Sequence, residues 1–180
     1  VSGAFEVIHD NLAPRTTLSL GALRYGQEPV YVSSNSLLSL DSMDDLIVSL
    51  DAQGTGVAFQ ELLVDGVFKR RFDNVAPQTG QNFVSTFTLV GEPDGLRSLG
   101  YLAQDTAGNR EVVKLATVAV DNTAPLTLLM ADGPNGFNAQ NHLVVSWRTL
   151  LALTAQDTLT GGVASGLKET FYRLQNDIDF

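Results

Sequence analysis

Acidic and amide side chains recur in this sequence where a hard cation would be well served. Asp10 and Asn11 stand just ahead of Pro14, Asp44 and Asp45 follow a leucine-rich run, and Asp105 and Asn109 bracket a Thr-Ala-Gly turn. The first pair returns as Asp121 and Asn122, and Asp44 returns as Asp157. Ca2+ takes about six to eight oxygen ligands from carboxylates, amides and carbonyls, and accepts irregular geometry. Gathered at one junction and again at the next, these nine residues are candidate Ca2+ ligands, and the cation would relieve their mutual repulsion. The same residue types also favour turns by bonding their own backbone. Asp105-Thr106-Ala107-Gly108-Asn109 therefore reads equally well as a hairpin loop.

Other chemistries find less support. The chain has no Cys, which excludes disulfides, thiolate metal sites and cysteine nucleophiles. His9 and His142 lack partners at metal-ligand spacing, and no Gly-x-Ser-x-Gly elbow or phosphate-cradling glycine loop is present. No catalytic site is expected. Lys69-Arg70-Arg71 suits a solvated strand face or a pairing with acidic neighbours. Trp147 suits a core or interface position on burial tendency, although an exposed Trp would stack on a sugar. Eleven Lys+Arg against 20 Asp+Glu give 180 residues a net charge of −9, opposed to the cation-driven binding of nucleic acid or anionic membranes. Hydrophobic residues at 44% are enough for a packed core. The longest apolar runs, such as Leu150-Leu151-Ala152-Leu153, are too short to insert in a bilayer. The first residues, from Val1 to Val7, lack the basic start and long apolar stretch of a secretion signal. Few charges, scarce Lys and abundant Ser, Thr and Gly nevertheless suit an extracellular β protein.

The elements that must position the acids repeat. Asp10-Asn11-Leu12-Ala13-Pro14 returns 111 positions on as Asp121-Asn122-Thr123-Ala124-Pro125. Val32-Ser33 and Leu37–Leu40 match Val145-Ser146 and Leu150–Leu153 after a two-residue insertion, and Gly56–Val64 parallels Gly166–Leu174. Three blocks in order predict residues 1–13 as the last strand of one unit, 14–124 as a complete unit and 125–180 as the first half of another. The last part has no counterpart to residues 66–110, so the chain is expected to be a piece of a longer array or a subunit completed by neighbours. Alternating apolar residues predict strands at Thr16–Leu20, Val30–Ser33, Ser36–Leu40, Val57–Val64, Val67–Phe72, Phe83–Val90, Leu96–Gln104, Glu111–Val120 and Thr170–Leu174. Asp65-Gly66 and Pro93-Asp94-Gly95 supply tight turns between them. The predicted class is all-β, with immunoglobulin-like β-sandwiches in tandem. In such a sandwich the linker and two loops meet at one pole, which would gather the acids.

The run Gly100-Tyr101-Leu102-Ala103-Gln104-Asp105-Thr106-Ala107-Gly108-Asn109-Arg110-Glu111, followed by Val118–Pro125, resembles bacterial immunoglobulin-like repeats of surface and secreted proteins. Leu151–Asp157, continuing through Gly166 to Tyr172-Arg173, is similar to the start of a related outer-membrane-associated immunoglobulin-like family. The resemblance implies a non-enzymatic module outside the cell or at its surface: part of a stalk, an adhesin, or a filament or sheath. Its expected partners are neighbouring repeats of the same or another chain, and a protein or glycan ligand. A glycan- or receptor-binding module, or an accessory domain of an extracellular hydrolase, is the alternative.

Overall fold

The computed structural model describes residues 9–22, 24–44 and 54–172. Asp45 and the apolar run at 46–50 lie outside them. Among the described residues every regular element is a strand. The first nine are β1 (Arg15–Leu20), β2 (Arg24–Tyr25), β3 (Val30–Val32), β4 (Leu38–Met43), β5 (Val57–Val64), β6 (Val67–Asp73), β7 (Phe83–Phe87), β8 (Gly95–Asp105) and β9 (Lys114–Val120). They form one sheet in the order β1-β4-β7 and a second in the order β2-β3-β9-β8-β5-β6. All neighbours are antiparallel except β3 and β9, which run parallel.

Period-two alternation decides which side chains face inward. On β4, Leu38, Leu40 and Ser42 are buried while Ser39, Asp41 and Met43 are half-buried. Leu38 and Leu40 meet Leu62 and Val64 of β5, Leu99 of β8 and Val118 and Val120 of β9 in one core, so both sheets close on the same apolar layer. A polar column crosses that layer beside it. Gln60 donates to the Ser42 hydroxyl (2.7 Å) and to the Leu40 and Phe83 carbonyls, and accepts from Ser85 Oγ. Thr16 Oγ1 extends the column to Ser42 (2.7 Å). A buried amide costs little only when each of its groups is paired, and Gln60 meets that condition.

Four further strands follow: β10 (Leu126–Asp132), β11 (Asn135–Phe137), β12 (Leu143–Val145) and β13 (Leu150–Gln156). Their pairings copy the first part. Leu18 faces Leu40 across β1 and β4, and Leu129 faces Leu153 across β10 and β13, offsets of 111 and 113. Arg24 faces Val32, and Asn135 faces Val145, at the same two offsets. Coverage differs. Leu40 is 0% exposed whereas Leu153 is 39% exposed, because no strand among the described residues lies over the inner face of β10 and β13.

Several boundaries differ from expectation. β4 begins at Leu38 and runs on to Met43, because its partners β1 and β7 extend that far. β7 stops at Phe87, where Leu89 turns to donate its amide to Ser34. The strand expected from Thr170 is not formed in the described residues through Tyr172, where no partner strand is present; residues 173–174 lie outside them.

The unequal coverage of equivalent leucines gives a direct contrast. Leu40→Ala should destabilise by about 2–5 kcal/mol in urea unfolding, and Leu153→Ala by less than about 1 kcal/mol. Equal losses would mean that both leucines are covered alike in solution.

Candidate functional site

Two elements and a linker bring the acids together. Asp44 follows β4, Asp105 ends β8, and Asp10 lies on the segment leading into β1. One oxygen from each of Asp10, Asp44 and Asp105 lies within 4.8 Å of the others. Asp44 and Asp105 are each 1% exposed, and Asp10 is half-buried.

Each carboxylate has a structural duty there. Asp44 Oδ2 accepts the Gly56 amide (2.7 Å), and Asp10 Oδ2 accepts the Thr55 amide (2.9 Å) and hydroxyl (2.8 Å). Asp105 accepts the Asn109 amide through Oδ1 and the Asn109 side chain through Oδ2, both at 2.8 Å. Asn109 Nδ2 also donates to the Asp10 carbonyl (3.0 Å), tying the β8–β9 loop to the incoming chain. The Thr55 and Gly56 carbonyls accept from Thr106, while their amides rely on the two carboxylates, and N–H groups withdrawn from water need acceptors. Gly56 has a φ of +89°, and a Cβ there would meet the Gln78 backbone at 2.7 Å, so only glycine fits this approach.

Burial pushes the Asp44 carboxyl above its ordinary range; the Gly56 amide pulls it down, while the Asp10 and Asp105 charges raise it further. The cluster thus holds more negative charge than its surroundings favour. A proton on Asp44 or a shared cation would balance it. The donor set fits Ca2+ in type and spread, since ligands about 2.3–2.6 Å from one ion stand up to about 5 Å apart.

Not every candidate ligand joins the group. Asn11 contacts the His9 ring. Asp45 lies outside the described residues. Asp121, Asn122 and Asp157 stand at the second joint. There, Asp121 Oδ2 accepts the Ser165 amide (2.7 Å) and Asp157 Oδ2 the Gly166 amide (2.6 Å), the counterparts of Asp10 with Thr55 and Asp44 with Gly56. Asn122 points away to Asp94 and Ser34. Trp147, expected in a core or interface, is 88% exposed, with Arg148 over its ring at 4.7 Å. Of the basic run, Lys69 pairs with Glu92 and Arg71 with Asp73, each at 2.6 Å.

Sequence reasoning missed Thr55 and Ser165, whose amides the acids hold; their shared position before Gly56 and Gly166 was the available signal. It also missed Asp94, visible only as a turn residue. No protein-family model, curated protein or solved structure matches the chain.

Asp44 makes a signed prediction. A carboxyl raised by folding stabilises fully below its unfolded value of 3.8, and that contribution is lost as pH rises through the higher folded value. Asp44→Asn keeps an acceptor for Gly56 and removes the charge. Without divalent cations it should flatten this limb of the pH profile and be neutral or up to about 1 kcal/mol stabilising at pH 7 in urea unfolding. A clear loss would mean that the charge itself holds the loop.

Proposed function

We propose that the chain is a structural, non-enzymatic module of tandem immunoglobulin-like repeats, part of an extracellular stalk, adhesin, or filament or sheath. The observation that carries this reading is the recurrence, at nearly constant spacing, of both strand pairs with their registers and of the carboxylate–amide bonds beside them. Independent folding into the same pairings is what a repeated sandwich requires. The passage of the chain from β1 in one sheet to β3 in the other, ending parallel to β9, also suits an immunoglobulin-like topology. In this reading residues 14–124 are one complete unit, 1–13 end the unit before it and 125–180 open the next. Leu151 and Leu153 are exposed because counterparts of β5, β8 and β9 would cover them.

Ca2+ at Asp10, Asp44 and Asp105 is the cation this reading assigns to the joint, where it would lock linker and loops together. A glycan-binding role is the second reading, favoured by the exposure of Trp147.

Two experiments test the proposal. Residues 57–124 fused after Gly166 supply the covering strands of the second unit. Amide exchange in β13 should then slow by about tenfold or more, with a second cooperative unfolding unit; unchanged exchange would sink the repeat reading. For the cation, calorimetry should register heat on Ca2+ addition, and saturation at about 100 Kd should add about 2.7 kcal/mol of stability, lost in Asp105→Asn. No heat, with no melting shift under chelator, would end the calcium assignment.

A further inference from the structure

The linker between β9 and β10 is held far more tightly than its sequence suggests. Asp94, in the turn before β8, receives three hydrogen bonds from it: the Asn122 amide and side chain on Oδ1, each at 2.9 Å, and the Thr123 hydroxyl on Oδ2 at 2.6 Å. Asn122 returns the contact to the first sandwich by accepting the Ser34 amide (2.8 Å). The Asp94 loop is braced from behind, since Arg97 donates to the Pro93 carbonyl (2.8 Å) and to Asp65 (3.1 Å).

The far side of the joint closes on the same loop. The turn Thr160–Val163 lies against Asp94 and Gly95, so closely that a Cβ on Gly161 would fall 2.0 Å from the Asp94 carbonyl oxygen. Gly161 also has a φ of +59°, which disfavours any side chain. Val163 in that turn is buried although most residues around it are exposed. One loop of the first sandwich therefore grips the linker with its carboxylate and packs its backbone against the turn that follows β13.

We propose that Asp94 is a clamp that fixes the orientation of β10–β13 relative to the preceding sandwich, without a bound ion. Its carboxyl suits such a clamp, because the Thr123 hydroxyl, with the Asn122 donors, holds it below the ordinary range and the accepting charge persists well into acid. The inference goes beyond the repeat reading and does not depend on it. It also separates this joint from the acidic triad, which lies at the other joint and whose stiffness would depend on cation.

The absence of cysteine makes a distance measurement clean. Spin labels on Thr86→Cys and Thr154→Cys, both exposed strand positions, span the joint. Electron–electron double resonance in chelator should give one narrow distance distribution for the otherwise unaltered chain. Asp94→Ala should broaden it severalfold, Asp94→Asn less so, and Gly161→Ala should shift or broaden it by wedging the turn away. Melting curves establish that each variant stays folded, and if Asp94→Ala unfolds the sandwich, Asp94→Asn and Gly161→Ala decide. Folded variants with distributions as narrow as the parent would overturn the clamp, as would a parental distribution already broad in chelator. Loss of the repeat reading would leave this result untouched.

Discussion

Backbone amides at strand ends need acceptors, and here carboxylates provide them. Asp10 and Asp44 hold the Thr55-Gly56 backbone, Asp105 closes the β8–β9 loop on Asn109, and Asp94 captures Asn122. The strand ladders could persist without these contacts, but the loops would not meet at a defined point. Asp44 and Asp94 sit where the chain leaves one sheet for the other, Asp105 where it turns between paired strands of one sheet, and Asp10 where it enters β1, so satisfying an amide also fixes the course of the next element. That coupling puts the acidic residues at the joints, where they appear as a charge cluster.

The arrangement carries a tension. Three carboxylates brought close by their separate duties repel one another, and the burial of Asp44 makes its charge costly. Asp94 has no such crowding, because hydroxyl and amide donors surround it. Similar side chains therefore meet different surroundings in one chain: the triad crowds three carboxylates, whereas Asp94 accepts from three donors.

Local pattern made much of this legible. Alternation located β5 and β6 to within a residue, and the Asp65-Gly66 turn between them follows from the left-handed conformation both residues adopt. Of the blocks matched to the first unit, Val145 ends β12 and Leu150–Leu153 lie in β13. Convergence of Asp10, Asp44 and Asp105 followed from assigning their loops to one pole. What escaped was set by contacts distant in sequence. Asp94 lies 28 positions from Asn122, and nothing in Pro-Asp-Gly distinguishes a turn from a clamp. Trp147 followed a burial tendency that presumes neighbours, and the described strands put none over it.

The parallel pairing of β3 with β9 has a mechanical meaning. The chain enters the first sandwich near Asp10 through β1 and leaves it near Asp121 through β9, so a pull between those points loads the β1–β4 ladder first and, once β1 has given way, draws β3 and β9 in opposite directions along their shared axis. Val30 with Val118, Tyr31 with Ala119 and Val32 with Val120 then slide past one another instead of opening from one end. Bonds loaded side by side must fail together, whereas bonds loaded in series fail singly. A pull between the two ends of the first sandwich is thus met by two ladders in turn, β1 on β4 and then β3 on β9.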